Sequence, residues 1–181
     1  MTRAEELEVH QNDANRRLSW QEELADAFIE AGVEVAAWVP DKRLAPIAAR
    51  LAERGTSLRT LPREEECFGY AAGYRAAGGM PLVMIQSSGL GNSLNAVGSL
   101  VVPYGLGFPA VISMRGTLGE RNPSQMALGR TTVDTLTLLG VQAFPLSSPD
   151  GVRAIVKGAF DVAEGARTLA PIVLEADLEP A

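Results

Sequence analysis

The sequence predicts a single three-layer α/β domain with a parallel sheet flanked by helices, and three observations carry that expectation. Segments of strand character alternate with segments of helical periodicity along nearly the whole chain, the rhythm of right-handed β-α-β crossovers. The run Pro81-Leu82-Val83-Met84-Ile85 is apolar without alternation, as expected of a parallel strand buried on both faces. A hydrophobic fraction of 46% with only 6% aromatic residues suits tight helix-on-sheet packing better than a sandwich or a disordered chain. At 181 residues the chain supports one such core and is too short for two.

Residues 1–18 are polar and of mixed charge and read as an N-terminal extension of little intrinsic stability, which leaves residues 19–181 for the domain. Ser19 and Glu22 have capping-box spacing, and Leu24, Ala27, Phe28 and Ala31 recur at helical intervals until Gly32 stops the helix. Residues 33–39 read as the first strand. Pro40-Asp41 opens a second helix with Leu44, Ile47, Ala48 and Leu51 on one face and Gly55 as its stop. A short strand over 57–61 precedes a helix over 63–77 that begins with three acids and ends at Gly78-Gly79. A strand over 81–86, a helix over 92–101 and a strand over 109–114 follow. Residues 115–124 form a glycine- and proline-containing loop leading to short helical segments through 139. A weak strand over 141–145 comes next, then a helix over 150–165 with Val152, Ile155, Val156 and Phe160 inward. The last strand spans 171–175.

Composition removes several function classes. A net charge of −6 with no basic stripe argues against nucleic acid as a partner. Cys67 is the only cysteine, so an intrachain disulfide or a cysteine-built zinc site is excluded, and Cys67 reads as a small buried apolar group rather than a nucleophile. The longest apolar candidate, residues 99–114, is broken by Pro103, Gly105, Gly107 and Pro109 and falls short of the ~20 residues of a membrane span. The first residues lack the apolar stretch of a signal peptide, and a soluble cytoplasmic protein is expected.

The turn Gln86-Ser87-Ser88-Gly89-Leu90-Gly91-Asn92 lies just past the apolar strand, at the end where open α/β sheets gather ligands. Gly89-Leu90-Gly91 begins a dinucleotide-binding pattern, but Leu94 stands where its third glycine belongs and no acid closes the next strand. A tight turn needing glycine backbone angles is the structural alternative. Arg115, past the next apolar strand, has two readings: a guanidinium that grips a carboxylate, sulfonate or phosphonate bidentately, or a salt bridge to Glu120. Gln125 and Arg130 follow on a segment that could line the same cleft, the favoured alternative being that each is merely exposed. Glu64, Glu65 and Glu66 complement the helix macrodipole at ~0.3–1 kcal/mol each. Glu64 shares a helical row with Cys67, Phe68 and Ala71, which opens an inward-facing role as well.

These segments together resemble a known family. Arg63-Glu64-Glu65-Glu66-Cys67-Phe68-Gly69-Tyr70-Ala71-Ala72-Gly73, the Gln86 to Asn92 turn, and Arg115-Gly116-Thr117-Leu118-Gly119-Glu120 with Gln125 are similar to the pyrimidine-binding domain of thiamine-diphosphate-dependent 2-oxo acid decarboxylases. The resemblance is most specific between Arg63 and Thr132 and extends over residues 19–178. It implies the thiamine-diphosphate-binding fold. It also implies a catalytic glutamate nine residues before the glycine ending the Ala-Ala-Gly triplet, which is Glu64 counted back from Gly73. That carboxylate would bond N1′ of the cofactor's aminopyrimidine and so promote removal of the thiazolium C2 proton.

The resemblance further assigns Glu64, Gln86, Ser88, Gly89 and Asn92 to the cofactor, and Ser87, Arg115 and Gln125 to the substrate. Family members often carry Gln-Asn-Ser-Gly-Leu-Gly-Asn, so Ser87 replaces an amide with a hydroxyl and puts the contacts made there in question. His10, the only histidine, lies in the extension, so any histidine near the reacting carbon must come from a partner or be dispensed with. The family's Gly-Asp-Gly and Asn-Asn elements, which hold Mg²⁺ and the diphosphate, are both missing: Asp150-Gly151 lacks the first glycine and no Asn-Asn pair occurs. The resemblance therefore implies half of an enzyme. A separate diphosphate-binding subunit would carry Mg²⁺ and those motifs, with at least two copies of each chain. The substrate implied is a short 2-oxo acid with a second anionic group, such as 3-sulfopyruvate, with phosphonopyruvate or another 2-oxo acid as the alternative. A non-catalytic regulatory or scaffolding relative is the alternative from another class.

Overall fold

A computed structural model describes residues 18–176 and Leu178. In chain order the elements are α1 (Trp20–Glu30), β1 (Val35–Trp38), α2 (Ala45–Glu53), β2 (Ser57–Thr60), α3 (Glu64–Ala76), β3 (Pro81–Gln86) and α4 (Leu90–Ala96). They continue with β4 (Pro109–Ser113), α5 (Met126–Leu138), β5 (Phe144–Leu146), α6 (Val152–Gly165) and β6 (Ala170–Leu174). The six strands form one sheet in the order β2-β1-β3-β4-β6-β5, with every neighbouring pair parallel. Helices α1, α2 and α6 pack together, as do α3, α4 and α5, so helices layer both faces of the sheet. The expected α/β class and parallel sheet are therefore observed. The extension proposed for residues 1–18 lies outside the described residues except for Leu18, and His10 lies outside them too.

The central strands are apolar throughout because both of their faces are covered. Leu82, Val83, Met84 and Ile85 of β3, and Ala110, Val111 and Ile112 of β4, are fully buried. Ser19 and Glu22 form the expected capping box, with the Glu22 amide donating to Ser19 Oγ at 3.3 Å and Glu22 Oε2 accepting from the Ser19 amide at 2.9 Å. Arg50 on α2 clamps Asp26 on α1 through two bonds of 2.9 and 2.8 Å, and this pairing holds the Asp26 carboxyl below its usual range. No helix among the described residues is long and apolar enough to cross a membrane.

Four elements differ from expectation. The helix expected to open at Pro40-Asp41 begins only at Ala45, after a turn over residues 42–44. The helix expected over 92–101 begins earlier, as a 3₁₀ turn at Ser87–Gly89 that runs into α4, and it ends as a π-helical turn over Val97–Val101. The short helical segments expected after the 115–124 loop join into one 13-residue helix, α5, after a single 3₁₀ turn at Pro123–Gln125. The strand expected over 141–145 is displaced to Phe144–Leu146. Gly140 takes a φ of +75° and Val141 donates its amide to Leu136 O at 2.9 Å, so these residues close the end of α5 instead. Pro145, without an amide hydrogen, is accommodated because β5 is an edge strand.

Candidate functional site

Strand order reverses at β1: one crossover from it leads outward to β2, while β3 lies on its other side. That divergence opens a crevice at the carboxyl ends of β1 and β3, and the polar groups of interest converge there. Gln86, the last residue of β3, donates from Nε2 to Asp41 Oδ2 at 2.8 Å and accepts the Ser88 hydroxyl on Oε1 at 2.6 Å. Asp41 Oδ1 accepts the Arg43 amide at 2.9 Å. The chain Asp41–Gln86–Ser88 thus ties the loop after β1 to the turn after β3. Gln86 retains one amide hydrogen and one lone pair for a ligand.

Glu64 is the first residue of α3, and its two acidic neighbours are placed differently. Arg63 is extended as the N-cap (φ −139°, ψ 142°), and its guanidinium pairs with Glu65 at 2.9 Å. Glu66 is exposed. Glu64 is half-buried and makes no hydrogen bond or ion pair with any described residue. Its side chain lies on the α-carbon of Gly89: a Cβ built there would overlap Glu64 Cγ, Cδ and Oε1. Gly89 has φ −79°, an ordinary helical angle, so the turn needs glycine for space and not for a left-handed backbone. Cys67, one turn further on, is fully buried, and burial pushes its thiol up to about 12, followed by the nearby Glu64 and Glu66 charges. That fits the expected apolar role.

The turn after β3 is bolted to the segment after β4. Ser87 is fully buried, its hydroxyl accepts the Arg115 amide at 3.0 Å, and its carbonyl accepts the Thr132 hydroxyl at 3.3 Å. The structure thus gives Ser87, read from sequence as a substrate contact, the task of holding Arg115 in position. Gly129 packs its α-carbon on the Arg115 carbonyl, where any Cβ would overlap. Of the two roles open for Arg115, the structure shows the ion pair: Nε and Nη2 bond the two Glu120 oxygens at 2.7 and 2.9 Å. The Arg115 bonds, and then the Asn122 amide, hold the Glu120 carboxyl down at about 2. Gln125 is half-buried, and its Oε1 is buried with no hydrogen-bond partner. Asn92 is exposed on the second turn of helical structure after β3.

Open volume collects around the 115–121 loop at the same end of the sheet. A cleft of about 640 Å³ is bounded by Met114, Gly116, Leu118, Glu120, Met126 and Arg130. One of about 540 Å³ lies between Leu118 and Glu175, and one of about 400 Å³ between Arg43, Arg115 and Arg121. Glu64 and Gly89 border none of these three, so the site has two parts: a carboxylate beside the β3 turn and a cleft beside the β4 loop. Sequence reading did not assign Asp41 or Arg43 to this region. Arg43 donates to the Leu174 and Glu175 carbonyls at 3.2 and 2.6 Å. The available signal was the position of Pro40-Asp41 directly past an apolar strand.

With this geometry in view, the fold matches a solved one. A chain of 2-oxoglutarate:ferredoxin oxidoreductase from Magnetococcus marinus superposes with a TM-score of 0.68 at 13% identity, over 86% of this chain and 28% of that one. The class defined by topology and strand-end site is thus a parallel α/β domain of the kind found within that enzyme. Sequence comparison narrows it. Sulfopyruvate decarboxylase subunit alpha from Methanothermobacter thermautotrophicus is 34% identical over 135 residues, 74% of this chain and 81% of the relative. The same subunit from Methanococcus maripaludis is 31% identical over 152 residues, 83% and 90% of the two chains. A phosphonopyruvate decarboxylase from Streptomyces hygroscopicus is 34% identical over 134 residues, 72% of this chain but 32% of that protein. No protein-family model matches. The chain belongs to the family of sulfopyruvate decarboxylase alpha subunits.

Proposed function

We propose that this chain is the pyrimidine-binding subunit of a thiamine-diphosphate-dependent decarboxylase that converts 3-sulfopyruvate to sulfoacetaldehyde and carbon dioxide. The observation that carries the reading is the Glu64 carboxylate beside Gly89, unpaired among the described residues, at the sheet crevice of a chain from this family. Bound thiamine diphosphate supplies the nucleophilic carbon that adds to the 2-oxo carbonyl and takes up the electrons left when carbon dioxide departs. The residues present fit such a group: an acceptor carboxylate without a competing partner, a glycine that leaves the carboxylate room, and an amide with spare capacity at Gln86.

Glu64 holds a proton at N1′ of the aminopyrimidine. Gln86, Ser88 and Asn92 offer amide and hydroxyl groups to the ring edge, and Asp41 fixes the Gln86 amide. Arg115 and Gln125 border the substrate side, with Ser87 anchoring the Arg115 backbone. Mg²⁺ and the diphosphate belong to a separate subunit carrying Gly-Asp-Gly and Asn-Asn, and that subunit completes the site. The word "alpha" in the relatives' names supports a second subunit. A phosphonopyruvate substrate is the second reading, supported by the Streptomyces relative.

Calorimetry with thiamine diphosphate and Mg²⁺, on the isolated chain and on the chain assembled with its partner, tests the proposal together with carbon dioxide release. Tight binding and turnover are expected only for the assembly. Tight Mg²⁺-dependent binding by the isolated chain would refute the shared site, and an assembly that binds cofactor without decarboxylating either acid would support a regulatory relative.

A further inference from the structure

We infer that Arg130 grips the second anionic group of the substrate, a sulfonate or phosphonate, an assignment that rests on the decarboxylase reading above. The 640 Å³ cleft is walled by Met114 and Met126 and contains three charged side chains, Arg115, Glu120 and Arg130. Two of them cancel, because both oxygens of Glu120 are engaged by Arg115 at 2.7 and 2.9 Å. A second anion at Arg115 would have to displace a carboxylate already held in a bidentate fork. Arg130 is exposed and makes no hydrogen bond or ion pair with any described residue, so among the described residues it is the cleft's uncompensated charge.

The Arg130 backbone is held rigidly. Gly129 sits against the Arg115 carbonyl, a Cβ on Gly116 would come within 3.2 Å of the Arg130 nitrogen, and Thr132 bonds Ser87 O at 3.3 Å. The first turns of α5 are thereby locked to the strand-end segments, a fixed platform for a guanidinium. Arg121 also lacks a partner among the described residues, but it stands on the loop itself and borders the smaller cleft.

The chemistry favours a cation for the group that does not react. In decarboxylation the bond between the carboxylate carbon and the oxo carbon breaks, the electron pair stays with the oxo carbon, and the carboxylate leaves as neutral carbon dioxide. A cation paired tightly with that carboxylate would stabilise the ground state more than the transition state. The sulfonate keeps its charge throughout, so a grip on it is uniform and lowers KM without changing kcat.

The test uses the assembled enzyme. Arg130→Gln should raise KM for 3-sulfopyruvate by about thirtyfold, the loss expected for a charge-assisted hydrogen bond, with kcat changed by no more than about twofold. The inhibition constant of ethanesulfonate, which has the sulfonate but neither the oxo group nor the carboxylate, should rise by a similar factor. Arg130→Lys should recover part of the loss, and Arg121→Gln should move KM by no more than about twofold, because Arg121 lines the adjoining smaller cleft and not this one, and an exposed charge that does not touch the anion is screened. An unchanged KM in Arg130→Gln, a fall in kcat at constant KM, or an equal effect from Arg121→Gln overturns the assignment while leaving the decarboxylase reading intact. A wild-type assembly that releases no carbon dioxide from either sulfopyruvate or phosphonopyruvate overturns that reading and this assignment with it.

Discussion

The α-carbon of Gly89 is the surface on which the Glu64 side chain rests, and a methyl group there would occupy the space of the carboxylate. Because Gly89 has ordinary helical angles, Gly89→Ala separates space from backbone. Alanine favours helix over glycine by ~0.8–1 kcal/mol, and only a flexible side chain has to move, so unfolding free energy should stay within ~1 kcal/mol of wild type. Turnover of the assembled enzyme should nevertheless collapse toward that of a Glu64 variant. A fully active Gly89→Ala enzyme would show that the Glu64 position is not critical.

Glu64→Gln should suppress cofactor C2-H/D exchange and turnover by roughly 10²–10⁴-fold, the range for a positioned acid-base group, without loss of assembly. Glu65→Gln loses only its exposed pairing with Arg63, and Glu66→Gln loses an exposed charge, so both should exchange near the wild-type rate. Three similar mutants would instead indicate a shared helix-dipole role.

The Arg115–Glu120 fork gives a pH dependence with a defined sign. The Glu120 carboxyl is lowered from 4.5 to about 2 by the fork and the Asn122 amide. A depressed carboxyl contributes stability that is fully present above its unfolded pKa and is lost as pH falls through the folded one. The stability difference between wild type and Glu120→Gln should therefore be constant above about pH 5 and shrink between about pH 4.5 and 2. Thermal melts of both proteins across that range check it, and a difference that is undiminished at pH 2 would contradict the fork.

Gly129 and Gly107 are the contrasting glycines. Added methyl groups would overlap the Arg115 and Ala163 carbonyls, and neither backbone segment can rotate away as a side chain can. Gly129→Ala and Gly107→Ala should each lower the unfolding free energy by ~1–3 kcal/mol or more, as overpacking does. Urea titration distinguishes this from Gly89→Ala, and a wild-type midpoint for Gly129→Ala would mean that α5 is not pressed on the loop.

Local chemistry decided the class of fold. Capping residues at Ser19 and Glu22, glycine stops at Gly32, Gly55 and Gly78, and unbroken apolar strands each report a preference that acts within a few residues. Where two local preferences compete, as at 140–141, the helix cap displaced the start of an edge strand, since edge pairing is weakly specified. Glu64 could be singled out among three adjacent acids by its helical row and by family spacing. Its contact with Gly89 joins residues 25 positions apart, and only the packing of α3 against the turn after β3 brings them together.

The same holds for the charges. Arg115 could equally have met a substrate or Glu120 until the glycines at 116 and 119, both with positive φ, folded the loop back on itself. Asp41 became part of the site through a bond to Gln86 that spans 45 residues. Sequence alone determined the order of helices and strands, though not each boundary, and which polar residues end up at strand ends, because those depend mainly on neighbours in the chain. Which of those residues are spent on one another and which stay free for a ligand was decided by tertiary structure, because a hydrogen bond depends on atoms brought within about 3 Å, whatever their separation in sequence.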